Sequence, residues 1–332
     1  MTDGDFSKEA FEFALKKTYQ EFIETLTPET KPKAFILGGQ PGAGKTGLQK
    51  IMSKLCNNNL IVINGDEFRE LHPDFQKLQE KYGKDSVDYT GKFSGQMTES
   101  LIERLKKEKY NVLVEGTLRT AQVPLKTCNE FKRSGYNVTL ALMAVKPQIS
   151  YLSTIMRYED MIAEGKTPRA TSKEAHDLIV KSIPGNLRQL QESNMFDKIV
   201  MYNREGFCLY DSDVHQDMTA DKAISSVFNG RWSQHELDQF CEIGKRTQLL
   251  MEKRYAEEID RFTKQYFNVD IVASIAKKND LAVSDAAQLF FSERIQPTRG
   301  KALQRDLPRE KEQDHKKSSL SNTSPNLKHK HR

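Results

Sequence analysis

The residues Gly39-Gln40-Pro41-Gly42-Ala43-Gly44-Lys45-Thr46 fit the pattern GxxxxGK[ST], the spacing of a loop that wraps a polyphosphate. Glycines leave successive backbone N–H groups open to an anion. Lys45 would neutralise the β- and γ-phosphates and the Thr46 hydroxyl would ligate Mg²⁺. The helix expected to begin near Lys45 adds the positive end of its dipole. The eight residues are therefore read as an ATP-binding loop, and the open question is what receives the phosphate.

A phosphoryl acceptor needs a base and the moving phosphate needs cations. Asp66 follows the apolar run LIVING and stands where ligands bind in open α/β sheets; it is the candidate base, or else a cap for the next helix. Glu115 ends NVLVEG and is either a crevice residue or a solvated strand end. Glu99, inside QMTESLIERL, is a weaker candidate in an exposed helical position. Arg157 and Arg169 flank YEDMIAEGKTP; they could close on the phosphate as a lid or lie on the surface. His72 and His176 show no ligand spacing and read as structural. A switch GTPase does not fit, because no DxxG follows the sheet strands and Lys277-Lys278-Asn279-Asp280 does not match NKxD.

These residues must be positioned by alternating elements. KAFILGG (33–39), LIVING (60–65), NVLVEG (111–116), NVTLALMAV (137–145), KIVMYN and FCLYDS read as strands, and the segments between them as helices. Near-continuous apolar strands predict a parallel sheet covered on both faces. The N-terminal segment 6–26 places Phe11, Leu15, Tyr19, Phe22 and Leu26 on one helical face. Residues 219–294 show helical periodicity without a strand, with Gly230 and Asn268 as breakers. The expected organisation is an N-terminal helix (1–32), a P-loop kinase-like, doubly wound, mainly parallel α/β core (33–215), an all-helical extension (216–295) and a disordered basic tail (296–332).

Charge supports this division. Residues 297–332 hold ten Lys/Arg and four Asp/Glu, so the net charge of +5 resides in that tail and residues 1–296 carry −1. Binding to nucleic acid is accordingly not expected of the core. The longest apolar run, Leu140 to Val145, has six residues, against the roughly 20 that a membrane span needs. The opening residues lack a secretory pattern. The four cysteines, Cys56, Cys128, Cys208 and Cys241, have no CxxC spacing and read as reduced thiols. A cytoplasmic protein is expected.

Taken together, GGQPGAGKT, LIVINGDEFRELHPDF, QMTESLIERL, NVLVEGTLRTAQVPLKT, LALMAVKPQISYLSTIMRYE, PRATSKEAHD and KIVMYNREGFCLYDS resemble the zeta toxins of bacterial toxin–antitoxin systems, over about residues 33–212. The resemblance implies a P-loop kinase that uses ATP and Mg²⁺ to phosphorylate the 3′-hydroxyl of UDP-N-acetylglucosamine and so starves cell-wall synthesis. It implies Asp66 as base, Lys45, Arg157 and Arg169 as stabilisers of the transferring phosphate, and Glu99, Glu115, Thr117, Arg119 and Thr127 as residues of the sugar-nucleotide pocket. It also implies a small helical antitoxin as partner, with self-inhibition by the helical extension as an alternative. Two positions depart from the family pattern: Asn64-Gly65 stands where a family member has Asp-Asn, and Leu118 replaces a glycine. The rival readings are phosphorylation of another hydroxyl acceptor, or a nucleotide-dependent nucleic-acid-binding module.

Overall fold

The computed structural model describes residues 3–295; the expected basic tail lies outside the described residues. Residues up to Glu293 form one compact unit. Its centre is a sheet of six strands: β1 (Lys33–Gly38), β2 (Ile61–Ile63), β3 (Val112–Glu115), β4 (Asn137–Met143), β5 (Lys198–Tyr202) and β6 (Cys208–Asp211), in the order β2-β3-β1-β4-β5-β6. β1 lies at the middle and pairs in parallel with both neighbours, Ile36 opposite Val114 on one side and Leu140 on the other. The loops leaving β1 and β3 therefore open onto the same carboxyl edge, where a crevice forms. β6 runs antiparallel to β5. Only residues 203–207 join those two strands, too short a connection for a parallel crossover.

Strand residues point alternately to the two faces. Along β1, Ala34 and Ile36 enter one core, while Phe35 and Leu37 enter the other. The first core is closed by α1 (Lys8–Ile23), α4 (Ser86–Lys107), α5 (Gln122–Arg133), α7 (Lys173–Glu192) and α8 (Ala220–Asn229). The second is closed by α2 (Lys45–Leu55), α6 (Pro147–Ala163) and the C-terminal helices α9 (Gln234–Lys253), α10 (Ile259–Gln265), α11 (Val269–Asn279) and α12 (Asp285–Ile295). Between β2 and α4 lie a short 3-10 turn, Glu67–Leu71, and α3 (Phe75–Tyr82).

Most of these elements follow the sequence pattern. EFREL, after the candidate base, forms only the 3-10 turn, and α4 begins at Ser86, about two turns ahead of Phe93. Gly230 and Asn268 are boundaries: Gly230 ends α8, and the Asn268 side chain accepts the Ile271 N–H to cap α11. Phe11 and Leu15 of α1 are buried as expected, with Tyr19, Phe22 and Leu26 packed partly against them. The four cysteines are free.

The C-terminal helices are seated by apolar packing and by charge. Leu237, Phe240 and Cys241 of α9 pack in the second core with Ile149 and Leu152 of α6. Arg254, just past α9, forks onto Glu159 of α6 through bonds of 2.6 and 2.9 Å, and Glu159 is 1% exposed. The carboxylate pair Glu159 and Glu258 holds the Arg254 guanidinium above its ordinary range.

α6 and α7 are tied to the phosphate loop by a chain of buried polar groups. Gln40 Nε2 donates to Val145 O at 2.8 Å and to Ser150 Oγ at 3.2 Å. Ser150 Oγ lies 2.9 Å from His176 Nε2, and His176 Nδ1 lies 3.2 Å from Asp177 Oδ1. With the proton on Nδ1, the imidazole donates to Asp177 and accepts from Ser150, so every bond in the chain has a donor and an acceptor. His176 is thus structural, as its spacing suggests. Burial pulls its pKa below the ordinary 6.5, and the neighbouring Asp177 only partly opposes this.

Two outcomes are expected. Arg254→Met leaves Glu159 buried without its partner and should lower the unfolding free energy by about 3–5 kcal/mol, measured by chemical denaturation. The His176 proton is bound more weakly in the fold than in the unfolded chain. Its contribution is therefore full above pH 6.5 and declines as pH falls below that value towards the lower folded pKa. His176→Gln should flatten this acid limb, read from denaturation curves between about pH 5 and 8.

Candidate active site

The phosphate loop turns between β1 and α2. Gly42 is packed so closely on α6 that a side chain there would strike the Ser150 carbonyl and the Thr154 methyl. Lys45, in the first turn of α2, reaches back over the loop: its Nζ is 3.3 Å from Gly39 O and 3.6 Å from Glu115 Oε1. Gln49 of α2 holds the other Glu115 oxygen at 2.7 Å. Burial holds the Lys45 ammonium below the usual lysine range. Glu115 pulls it back up, Arg157 pushes it further down, and Asp66 also favours its charged form.

Asp66 emerges just beyond β2. Its N–H donates to Asn64 Oδ1 at 3.2 Å, and Ser94 of α4 holds the Gly65 carbonyl at 2.5 Å. Asp66 stands at the start of the 3-10 turn but makes no side-chain capping bond, so the cap explanation does not account for it. Its carboxylate is 67% exposed and meets Arg69 Nε at 3.1 Å. Arg69 is anchored in turn by Val87 O at 2.6 Å and Thr90 Oγ1 at 3.1 Å, both from α4.

Arg157 projects from α6, and its charged form is disfavoured by loss of hydration and by Arg169, while Asp66 and Glu115 favour it. Arg157 thus lies within electrostatic reach of Lys45, Asp66, Glu115 and Arg169. Arg169, on the connection between α6 and α7, contacts Glu70 at 3.4 Å. Glu99 is apart from this group: 73% exposed on α4, it faces Lys126 of α5 at 3.5 Å. Glu115, Thr117, Arg119 and Thr127 share the lining of a cavity of about 210 Å³ beside β3.

Leu118 belongs to that cavity too. It adopts φ +55°, a left-handed conformation that costs a branched residue about 1–2 kcal/mol. Its side chain is 3% exposed and covers Gly38, where a Cβ would collide with it. Asn186 of α7 secures the Leu118 carbonyl at 2.7 Å. Leu118 thus fills space at the end of β1 while the neighbouring cavity stays open.

Thr46 is exposed in the first turn of α2, and among the described residues no group of three or more His, Cys, Asp or Glu could hold a metal. This donor set fits a Mg²⁺ that arrives on the phosphates and keeps most of its water, taking one hydroxyl from the protein. Among the described residues no helix is long and apolar enough to cross a membrane.

Two arginines at the site were not singled out from the sequence. Arg69 could have been noticed as a cation one turn after the candidate base. Arg204 sits in the turn after β5, and its guanidinium reaches the phosphate loop: Nε to Ala43 O at 3.0 Å, one terminal nitrogen to Gly42 O at 2.5 Å and to Ser153 Oγ at 2.9 Å. Burial pushes it down to about 10. Behind it lies a larger cavity of about 660 Å³ that includes Lys146, Glu205, Phe207 and His235 but none of Lys45, Asp66, Arg157 or Arg169.

The family described as Zeta toxin matches residues 16–215. Toxin PezT of Streptococcus pneumoniae is 43% identical over 250 residues, covering 75% of this chain and 98% of that protein. Toxin zeta of Streptococcus pyogenes is 39% identical, covering 72% and 83% respectively. A solved structure from work on the PezAT chromosomal toxin–antitoxin system of S. pneumoniae superposes with a TM-score of 0.71 at 40% identity, covering 76% of this chain and all of that one. With its phosphate loop at the centre of a parallel sheet and these relatives over most of its length, the chain belongs to the zeta toxin family of P-loop kinases.

Proposed function

We propose that the protein transfers the γ-phosphoryl group of ATP to the 3′-hydroxyl of UDP-N-acetylglucosamine. The observation that carries this reading is the placement of Arg157 within electrostatic reach of Lys45, Asp66, Glu115 and Arg169, with Glu115 also lining a cavity beside Thr117, Arg119 and Thr127. Backbone amides at the start of α2 take the phosphates, and Lys45 exchanges its contacts with Gly39 and Glu115 for phosphate oxygens. Asp66 accepts the proton of the sugar hydroxyl. The hydroxyl oxygen bonds to the γ-phosphorus as the bond from that phosphorus to the β–γ bridging oxygen breaks, leaving ADP. Arg157 and Arg169 match the charge on the three equatorial oxygens, their planar forks suiting phosphate. Thr46 would hold a Mg²⁺ that arrives with the phosphates, and that ion would supply further charge neutralisation.

Glu115, Thr117, Arg119 and Thr127 hold the sugar nucleotide, and Glu99 joins them by turning from Lys126 as the acceptor enters. Loss of the acceptor to this reaction makes the protein toxic to cells that build a peptidoglycan wall. Because the related structure comes from a toxin–antitoxin system, a small antitoxin is the expected protein partner. Leu118, which lines the cavity beside β3 and stands where the family pattern has a glycine, keeps another hydroxyl-bearing sugar nucleotide as a second reading.

Asp66→Ala should reduce transfer by about 10²–10⁴-fold while ATP affinity stays unchanged; undiminished turnover would remove Asp66 as the base. Lys45→Ala should impair both binding and transfer. Both are read by incubating protein with ATP, Mg²⁺ and UDP-N-acetylglucosamine and locating the added phosphate by NMR. Phosphate on a different acceptor in a mass-spectrometric panel would redirect the substrate assignment, and a polynucleotide acceptor would bring steep salt dependence.

A further inference from the structure

Arg204 spends a half-buried cation on uncharged oxygens. Its contacts are the carbonyls of Gly42 and Ala43 and the Ser153 hydroxyl of α6. Stripping a guanidinium of water is costly, and neutral acceptors repay this less fully than a carboxylate does. The two carbonyls occupy consecutive positions in the phosphate loop, and the second belongs to the peptide entering Gly44, whose φ of 98° is left-handed.

We propose that Arg204 is a positioning residue for phosphate binding: by holding the Gly42 and Ala43 carbonyls on the outer side of the loop, it turns the Gly44 amide inward to the anion. The geometry of the peptide group carries this step. In a planar trans peptide the carbonyl and the following N–H point in opposite directions, so fixing Ala43 O fixes Gly44 N–H. The Ala43 N–H is already committed to Gln40 O at 3.1 Å, so of these two amides it is that of Gly44 that can be aimed at an anion. Ser153 sets the fork from α6, the helix that also presents Arg157, so the loop and a lid cation are aligned by one scaffold. The guanidinium also lends positive potential from behind the loop, where no substrate can displace it.

This inference rests on the reading of the loop as a triphosphate site, and direct binding separates the two. Titration calorimetry would compare the full-length protein with Arg204→Met and Arg204→Lys, using inorganic tripolyphosphate and ATP as probes. The Met variant should lose about 10- to 100-fold in affinity for both probes alike. Lysine keeps the charge but cannot fork across two carbonyls, so it should restore only part of that loss. Thermal unfolding should show a smaller ligand-induced rise in Tm for Arg204→Met than for the parent, whatever happens to the unliganded Tm. Parent-like affinity of the Met variant would overturn the proposal. So would a lowered unliganded Tm with the ligand-induced rise unchanged, since that marks a merely structural residue. A loss confined to ATP, sparing tripolyphosphate, would move Arg204's role to the nucleoside and overturn it as well. If the Met variant does not fold, full affinity in Arg204→Lys overturns it. A parent protein that binds neither probe would defeat the phosphate-loop reading itself.

Discussion

The contact between the phosphate loop and α6 constrains everything else at this site. Gly42 lies against the Ser150 carbonyl with no room for a side chain, so the loop's path is set by a helix more than a hundred residues away in sequence. Gln40 binds Ser150 from within the loop, and Arg204 binds Ser153 from behind it. α6 therefore presents a short polar face at its start, to fix the loop, and Arg157 two turns later, to meet what the loop holds. Close packing makes such an arrangement stiff. A displacement of α6 would move the phosphate loop and Arg157 together.

The charged groups across the opening are held in mutual pairs: Lys45 with Glu115, Asp66 with Arg69, and Arg169 with Glu70. The Asp66–Arg69 and Arg169–Glu70 pairs reach solvent and hold weakly, typically at 0–1 kcal/mol, whereas Lys45 and Glu115 are more enclosed, at 13% and 19% exposed. Pairing still matters, because it keeps like charges such as Arg157 and Arg169 from dispersing the site before a triphosphate arrives. Binding thus replaces weak internal partners with a ligand bearing several negative charges.

The sequence made the site's principal residues legible because their chemistry follows from local pattern. A glycine-rich turn between a strand and a helix, and carboxylates at strand ends, can be read without knowing any tertiary contact. Asp66 and Glu115 are both found at the carboxyl edge for that reason. Arg204 and Arg69 were not legible, since their roles depend on partners far away in the chain or on an adjoining helix. Antiparallel β6 is a similar case: its residues read as a strand, but its direction is set by the shortness of the 203–207 connection. The left-handed Leu118 carried no local signal either, because leucine gives no hint of that conformation; only its fit over Gly38 accounts for it.

The family match ends at residue 215, yet the second core continues through Leu237, Phe240, Met251, Phe262, Phe267 and Phe291. Those side chains join, largely through α6, the same core that Phe35 and Leu37 enter from the strand before the phosphate loop. The boundary of the family match is therefore not a boundary of the folded body. A fragment trimmed to the matched segment would keep α2 and α6 on that side but strip away the helices packed over them, leaving a greasy surface open to self-association, however complete its chemical groups.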